Sequence, residues 1–472
     1  MRFFRLSLLL GICYWGACLS PATDVVIDAG KKYQTIEGFG TCLVAWQQGF
    51  RELYRTEAFP ETYVDTMGCT MLRVNMWGPT YPDRQEDWTK IRSEDFQMQA
   101  NGGRPQIFVD FGQAILKRNP EIKIIGTVWS PPAWMKENGS IKAQKSSAIR
   151  AGGYGENQNR VKQEYFPHFC QWMVEYVRKH DQAGVPFYAV SPGNEVQFSQ
   201  SFESCVWDAD DYVKILPMLR KHLDDAGYAD VKIFGPETMT SHMYPGGTGS
   251  YVQAIKDDSA ALQAIGAFAT HGYEDGVVGE MSANSSRVFW EQVADTGKPF
   301  WITEGGTGEH DWPAPIRKGV ANALHNALVA GNCSAFVPWQ ITDRQANEHG
   351  LMRMDELTPK SHAARHYFKF IRPGAVRIDA QPGFAEVQVG AFVHEADRQL
   401  TVVAINATDA EQPLKLTLKN LATGSTMNAV RTSADEQFQT IDPVPVEGST
   451  ASVRLPPRSL VTFTAEIRPD AD

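Results

Sequence analysis

The sequence lacks the signatures of several kinds of protein. None of its seven cysteines belongs to a Cys-x-x-Cys pair, so it indicates neither a zinc site nor a redox dithiol. Lysines and arginines number 45 against 55 aspartates and glutamates, and the net charge of −10 has the wrong sign for a general binder of nucleic acids or anionic membranes. The 472 residues contain no internal repeat and no low-complexity linker. Their number predicts two or three domains unless a barrel takes up much of the chain.

A short apolar run lies at the beginning of the chain. Met1–Arg5 is basic and Leu6–Ile12 is apolar, and the run is too brief to remain as a membrane span, so residues 1–21 are predicted to be a secretory signal. Gly16-Ala17-Cys18 also resembles the end of a bacterial lipobox, with Trp15 in place of the usual aliphatic residue. The protein is therefore expected to be secreted or periplasmic, and an outer-membrane lipoprotein anchored at Cys18 is the alternative. Five cysteines follow this leader. An oxidising compartment allows them a disulfide or two, with at least one thiol free.

Residues 35–371 alternate short apolar runs with longer amphipathic patterns, which predicts βα units around a parallel sheet. Eight of these runs are predicted strands: Thr35–Leu43, Thr70–Asn75, Lys123–Val128, Phe187–Ser191, Lys232–Phe234, Ala264–His271, Phe300–Thr303 and Ala335–Trp339. Helical periodicity separates several of them, for example over Gln163–His180, Ala209–Ala226 and Ala314–Ala330. The predicted fold is α/β, with a (β/α)8 TIM barrel over residues 35–371.

The pattern changes after Phe370-Ile-Arg-Pro-Gly374. Apolar and polar residues then alternate, with turn residues about every ten positions, as in Gln399–Asn406 and Leu460–Glu466. Residues 372–468 are therefore predicted to form a C-terminal antiparallel β-sandwich side domain. The segment 22–34 is expected to belong to the same domain, because Val25–Tyr33 has the pattern of an additional strand.

Two glutamates follow buried apolar runs in the predicted barrel. Glu195 ends Val185–Glu195 after predicted strand four, and Glu304 ends Lys298–Glu304 after strand seven. A single glutamate in such a place is more often a helix-cap neighbour or a loop surface residue. Asn194, however, offers an amide beside Glu195, and the glycines after Glu304 leave space for a ligand. Two carboxylates at the carboxyl ends of barrel strands meet the requirement of glycoside hydrolysis for a proton donor and a nucleophile.

Several segments in order along the chain support this interpretation. They are Thr35–Gly40, Met71–Asn75, Gly126–Met135, Asn194-Glu195, Phe202–Trp207, Thr303–Gly305 and Tyr367–Gly374. Together they resemble glycoside hydrolase family 30, a retaining family with an eight-fold βα barrel and an attached β-side domain. By this resemblance Glu195 would be the general acid/base and Glu304 the nucleophile, with no metal or organic cofactor. The chain departs from the family at Val196, where proline is usual.

Polar residues near other strand ends are candidates for binding substrate. Arg73 matches an arginine that lies near the nucleophile in such barrels, and a cation there would hold Glu304 ionised; a structural ion pair is the alternative. His271 is placed to donate hydrogen bonds to the sugar or the nucleophile, and Tyr273 follows it closely. A lone histidine is more often structural.

Aromatic residues supply the remaining candidates. Trp129 and Trp339 lie at the ends of strands three and eight, where indole faces can stack on sugar rings, while core packing is the alternative for each. Trp134 and Trp207 are weaker candidates. Arg344, after strand eight, is a positional candidate for the arginine that selects glucuronic-acid branches in some family members.

The sequence thus predicts a retaining β-glycoside hydrolase. The resemblance favours endo-acting cleavage of a plant or algal polysaccharide such as xylan, a β-1,6-glucan or a galactan. The two carboxyl groups are then expected about 5–5.5 Å apart, because direct attack leaves no room for water between nucleophile and sugar. The alternative is a catalytically inactive glycan-binding surface lipoprotein, which would not need both carboxylates.

Overall fold

The computed structural model describes residues 22–149, 154–240, 248–273, 281–345, 347, 349–383 and 386–468. The predicted leader 1–21, with Cys18, lies outside them. The strands up to residue 336 are β1 (Thr23–Thr35), β2 (Gly38–Cys42), β3 (Met71–Asn75), β4 (Lys123–Thr127), β5 (Ser147–Ala148), β6 (Phe187–Ser191), β7 (Phe198–Ser199), β8 (Lys232–Thr238), β9 (Ala267–His271), β10 (Phe300–Glu304) and β11 (Cys333–Phe336).

Eight of these strands close into a parallel barrel, in the order β2-β3-β4-β6-β8-β9-β10-β11 and back to β2. Side chains alternate between the two faces of each strand, as in β3, where Met71 packs inside the barrel and Leu72 packs in the outer layer. Both faces are buried, which explains why the strands are continuous apolar runs in the sequence. The predicted TIM barrel is confirmed.

Helices cover the outside of the barrel. Those among the described residues are α1 (Gln48–Tyr54), α2 (Ala58–Glu61), α3 (Ala100–Arg118), α4 (Phe166–Gln182), α5 (Ala209–Asp225), α6 (Thr248–Asp257), α7 (Ser259–Ala264), α8 (Ala283–Val293), α9 (Ala314–Arg317), α10 (Val320–His325) and α11 (Pro359–Phe368). None of them is both long enough and apolar enough to cross a membrane.

Several predicted boundaries were wrong. The sixth predicted strand begins at Ala267 rather than Ala264, and the eighth ends at Phe336, so that Trp339 lies beyond it. The first predicted strand is divided, because the chain leaves β1 at Thr35 and begins β2 at Gly38. The fifth runs on from Phe234 to Thr238. The helix predicted over Ala314–Ala330 is broken at Gly319, where a Cβ atom would lie 2.9 Å from the Cα of Pro315.

The C-terminal domain is a β-sandwich, as predicted. Three short strands precede it in the chain: β12 (Thr342–Asp343), β13 (Met352–Arg353) and β14 (Glu356–Leu357). The strands of the domain after residue 375 are β15 (Val376–Gln381), β16 (Val387–His394), β17 (Gln399–Asn406), β18 (Gln412–Lys419), β19 (Thr426–Thr432), β20 (Gln439–Glu447), β21 (Thr450–Leu455) and β22 (Ser459–Glu466). β1 joins this domain by pairing antiparallel with β15 and parallel with β18. The circuit of hydrogen-bonded strands is therefore closed.

The two domains share an apolar seam. Phe392, Val403 and Leu460 of the sandwich belong to the same buried cluster as the outer layer of the barrel. In the middle of this seam the buried imidazole of His366 on α11 is hydrogen-bonded to the hydroxyl of Thr462, 2.8 Å away. The five described cysteines are all buried and unpaired.

Candidate active site

The carboxyl ends of the barrel strands bring the two predicted carboxylates together. Glu304 is the last residue of β10, whereas Glu195 lies beyond the end of β6 at Ser191 and has a left-handed φ of 48°. The amide of Glu195 donates to the carbonyl of Glu237, 2.9 Å away, which attaches this turn to β8. One oxygen of each carboxylate and a ring nitrogen of His271 all lie within 4.8 Å of one another. The two carboxyl groups therefore share one site.

Arg73 lies inside the barrel, in the middle of β3, and is fully buried. Its Nη1 donates to Oε2 of Glu304 at 2.7 Å, and its Nη2 donates to Oδ1 of Asn194 at 2.6 Å. Nη2 also lies 3.0 Å from Oε1 of Glu237, and the guanidinium covers the Trp129 ring at 4.5 Å. One cation thus contacts the predicted nucleophile, the neighbour of the predicted acid/base and a third carboxylate.

That third carboxylate, Glu237, was not predicted from the sequence. It occupies an irregularity in the pairing of β8 with β9, between Pro236 and Thr238, and has a φ of 53°. Bulges of this kind redirect side chains beside active sites. Its Oε2 accepts a hydrogen bond from Thr127 Oγ1 at 2.9 Å. Burial acts to raise the pKa of Glu237, but Arg73 and His271 outweigh it and lower the pKa to about 2.

His271 and Tyr273 lie against the carboxylate pair. Nδ1 of His271 is 3.3 Å from Oε1 of Glu195 and 3.8 Å from Oε1 of Glu304. Burial alone would lower the pKa of His271, yet the surrounding carboxylates, Glu304 foremost, raise it to about 9. The imidazole is therefore protonated at neutral pH. The Tyr273 hydroxyl donates to Oε1 of Glu304 at 3.1 Å.

The cluster contains three carboxylates and two cations. Glu237 is ionised because of its low pKa, and Arg73 and the protonated His271 are positive. Burial raises the pKa of Glu304, and the negative charge of Glu195 adds to the rise, while His271 and Arg73 oppose it. The charge on Glu195 therefore affects whether Glu304 is ionised, as expected for two carboxyl groups that share one site.

Gln200 is a second residue that the sequence did not reveal. It is buried, and its Nε2 donates to Oε2 of Glu195 at 2.9 Å. The loop after β6 turns back through a hydrogen bond from Phe198 N to Glu195 O of 2.7 Å, which returns Gln200 to the carboxyl group. No signal in the sequence marks this residue, because its role depends on the path of that loop.

A cavity of about 590 Å³ lies beside the carboxylate cluster. Trp129 and Trp339 line it and lie 6.1 Å apart between ring centroids, and Trp46 stacks on Trp339 at 5.6 Å. Trp46 is nearly half exposed. Polar lining comes from Asn75, Arg104, Lys142 and Glu203. Flat aromatic faces with a few polar groups suit a sugar chain.

The three weaker candidates lie elsewhere. Trp207 is fully buried and packs on Phe169 with ring centroids 5.1 Å apart, so it is a core residue. Trp134 is half-buried, and its Nε1 donates to the carbonyl of Tyr81 at 3.3 Å. Arg344 is exposed and does not line the cavity.

Glu195, His271 and Glu304 are also close enough to hold a metal ion. Arg73, however, already places a cation 2.7 Å from Glu304. The charge distribution of this cluster therefore suits proton transfer better than metal binding.

Comparisons with known proteins show which families the chain resembles. The model described as "Glycosyl hydrolase family 59" matches residues 106–358, more than half of the chain, and that described as "Glycosyl hydrolase family 30 beta sandwich domain" matches residues 374–463. Glucuronoxylanase XynC of Bacillus subtilis (strain 168) is 25% identical, over 98% of this chain and 96% of its own.

Solved structures show the same fold. The family 30 subfamily 8 xylanase Xyn30A from Clostridium acetobutylicum superposes with a TM-score of 0.73 at 20% identity, covering 94% of this chain and 99% of its own. The endo-β1,6-glucanase BT3312 gives a TM-score of 0.68 at 17% identity, with 94% and 95% coverage. At these identities the likeness concerns the fold.

Proposed function

Since the chain belongs to the glycoside hydrolases of the family 30 type, with a barrel that matches the family 59 model, we propose that it cleaves β-glycosidic bonds by a retaining double displacement. The observation that carries this proposal is the separation of the two carboxylates, whose oxygens approach within 4.8 Å. Retaining enzymes hold these groups about 5–5.5 Å apart, while inverting enzymes need about 6.5–9.5 Å for the attacking water.

In the first step Glu304 attacks the anomeric carbon while Glu195 gives its proton to the departing glycosidic oxygen. Arg73 and Tyr273 each donate a hydrogen bond to Glu304, at 2.7 and 3.1 Å, which orients the attacking carboxylate. The Asn194 side-chain oxygen is occupied by Arg73, so its amide nitrogen remains as a donor for a sugar hydroxyl.

In the second step Glu195 removes a proton from a water molecule as this water attacks the anomeric carbon, and the bond between that carbon and the Glu304 carboxylate breaks. Formation of the ester has removed one negative charge from the cluster, which lets Glu195 ionise beside it. Protonated His271, 3.3 Å from Oε1 of Glu195, stabilises that ionised form. The second displacement restores the β-configuration at the anomeric carbon.

We propose a plant or algal polysaccharide as the substrate, cleaved internally. The cavity supports a sugar chain, because Trp46, Trp129 and Trp339 offer ring faces for stacking. A full-length relative is named a glucuronoxylanase and a structural neighbour an endo-β1,6-glucanase. Xylan, β-1,6-glucan and galactan are therefore the substrates to compare.

The second candidate, an inactive glycan-binding protein, is not favoured. A binding protein needs the aromatic cavity but not two buried carboxylates, an arginine on one of them and a protonated histidine between them. Burying such a cluster is unfavourable unless it is used. The carboxylate cluster therefore supports catalysis.

A polysaccharide panel with reducing-end detection tests the proposal. The wild-type protein is expected to release oligosaccharides from one of the three polysaccharides, and Glu304→Gln is expected to release none. Proton NMR of the first product should show the β-anomer before mutarotation. An α-anomer as first product would overturn the retaining mechanism, and binding without cleavage across the panel would favour the binding protein.

We also propose export, with either a free or a lipid-anchored mature chain. The basic and apolar leader supports export, and Cys18 supports the anchor. Mass spectrometry of the mature N-terminus distinguishes the two. A diacylated Cys18 would establish the anchor, and an unmodified N-terminus near residue 22 would exclude it.

A further inference from the structure

We propose that Gln200 is a positioning residue that controls the protonation of the Glu195 carboxyl, and that a buried network ending at Lys136 holds Gln200 in place. The proposal rests on the proposed role of Glu195 as acid/base. Gln200 lies opposite His271 across that carboxyl group, since it contacts Oε2 while His271 faces Oε1. Nothing in the family resemblance assigns it a role.

A glutamine suits both protonation states of its partner. As a donor at 2.9 Å, the amide group of Gln200 stabilises ionised Glu195. Rotated by a half turn, the same amide presents its oxygen and accepts the proton of the neutral acid. Glu195 must alternate between these two forms in each catalytic cycle. Gln200 can therefore keep the carboxyl group in one orientation throughout, because it offers a partner to both forms.

The backbone of Gln200 is fixed from two sides. Its N–H donates to Oγ of Ser204 at 2.8 Å, and its carbonyl accepts from the amide of Ala143 at 2.9 Å. Ser204 Oγ in turn accepts from Nδ2 of Asn159 at 2.8 Å. All of these groups except Ala143 are buried polar residues. The position of Gln200 thus depends on the pairing of the loop after β4 with the loop after β6.

Lys136 joins those two loops. The residue is buried, and its Nζ donates to the carbonyl of Ser204 and Oδ1 of Asn159, both at 2.6 Å, and to Oγ of Ser130 at 3.1 Å. An ammonium has three donors, and these three acceptors use all of them. A buried charge held by neutral oxygens alone is unfavourable unless its geometry is needed. Here it fixes the loop that carries Gln200.

The other groups that face Glu195 do not perform this task. His271 and Glu304 are charged and lie on β9 and β10, and Arg73 and Glu237 act on Glu195 only at longer range. They set the electrostatic potential at Glu195, and protonated His271 can only donate to it, whereas Gln200 can donate to the ionised form and accept from the neutral one. Removing Gln200 should therefore affect proton transfer and leave nucleophilic attack intact.

The test compares Gln200→Met with Gln197→Met. Gln197 lies in the same loop, is also buried, and its side-chain atoms have no hydrogen-bond partner among the described residues, so its substitution is a matched control. The probes are phenyl and 2,4-dinitrophenyl β-glycosides of xylobiose, gentiobiose and galactobiose. The comparison uses the disaccharide whose glycosides the wild-type protein cleaves. Only the phenyl glycosides need a proton from Glu195 in the first step.

Gln200→Met is expected to lower kcat/KM for the phenyl glycoside about tenfold, which corresponds to one lost hydrogen bond to a charged group. For the dinitrophenyl glycoside, kcat/KM should stay within about twofold of wild type. The basic limb of the kcat/KM profile should move to higher pH, because the ionised form of Glu195 has lost a donor. Gln197→Met should change neither quantity.

Lys136→Met tests the network without touching Glu195. It should reproduce the selective loss on the phenyl glycoside, and the double variant with Gln200→Met should be no worse than the poorer single variant. If Lys136→Met does not fold, Ser204→Ala takes its place in the same comparison of single and double variants.

Two results distinguish a failure of this proposal from a failure of the proposed function. If Gln200→Met behaves like Gln197→Met, or loses both substrates equally, Gln200 is not a positioning residue even though Glu195 is the acid/base. If Glu195→Ala itself retains full activity on the phenyl glycoside, the proposed function fails as well.

Discussion

Replacing His271 with glutamine should change how the stability of the protein depends on pH. The folded-state pKa of about 9 lies above the unfolded value of 6.5, so the folded protein binds more protons between these two pH values. The stabilisation is therefore fully present below pH 6.5 and is lost as the pH rises through 9. At 1.36 kcal/mol per pKa unit, this difference contributes about 3 kcal/mol to the free energy of unfolding.

Other titrating groups change the free energy of unfolding over different pH ranges or with the opposite sign. The buried His180 has a pKa lowered by burial to about 3, so it is neutral throughout the range and affects stability only below pH 6.5. Burial lowers the pKa of Lys136 to about 8, which makes stability rise with pH between 8 and 10.5. Comparison of wild type with His271→Gln removes these shared contributions.

The assay is urea unfolding followed by tryptophan fluorescence at pH 6.0 and pH 9.5. Wild type should lose about 3 kcal/mol more than His271→Gln between the two pH values. The control His180→Gln, which removes another buried imidazole, should lose at least as much as wild type, because the neutral His180 of the folded protein costs stability only at the lower pH. Equal losses in wild type and His271→Gln would refute the reasoning, because His271 would then not be a cation in the folded site.

Four further outcomes are expected. Glu195→Ala should keep turnover of activated glycosides and be rescued by azide in product assays, whereas Glu304→Ala should lose retaining catalysis with good and poor leaving groups alike. The acidic limb of the kcat/KM profile should lie above pH 4.5, because burial raises the pKa of the Glu304 carboxyl that must be ionised to attack. Glu237→Gln should lower the free energy of unfolding by about 3 kcal/mol, measured in urea, because it removes one partner of the buried Arg73. Deletion of residues 374–472 should give insoluble protein in a sedimentation assay, since it exposes the apolar seam, and soluble active barrel would contradict this.

Most of the fold could be predicted because the barrel strands are buried on both faces. Such strands appear as short continuous apolar runs, and their number and alternation with helices indicate the barrel directly. Errors arose where the sequence pattern and the backbone diverge. The periodicity of Ala314–Ala330 continues across Gly319, but the backbone of Gly319 is extended, with a φ of −105° and a ψ of −155°, and the helix breaks there. Side-chain periodicity does not record such a change in backbone conformation.

Glu237 and Gln200 could not be predicted for a similar reason, because their positions depend on the path of the backbone. The predicted strand ended at Phe234, while the real strand continues past Gly235-Pro236 through an irregularity in its pairing with β9, at which Glu237 lies. Gln200 lies in a loop whose path depends on buried hydrogen bonds to residues distant in sequence. Glu195 and Glu304 could be found because each follows its strand within a motif.

The sequence alone left two roles open for Arg73. A structural ion pair and a cation beside the nucleophile were alternatives for this residue, yet its planar fork makes both contacts at once, with Glu237 on one nitrogen and Glu304 on the other. A lysine could hold only a point charge between them and would lose the separate bond to Asn194. The stability of the buried cluster and the orientation of the nucleophile therefore depend on the same guanidinium group.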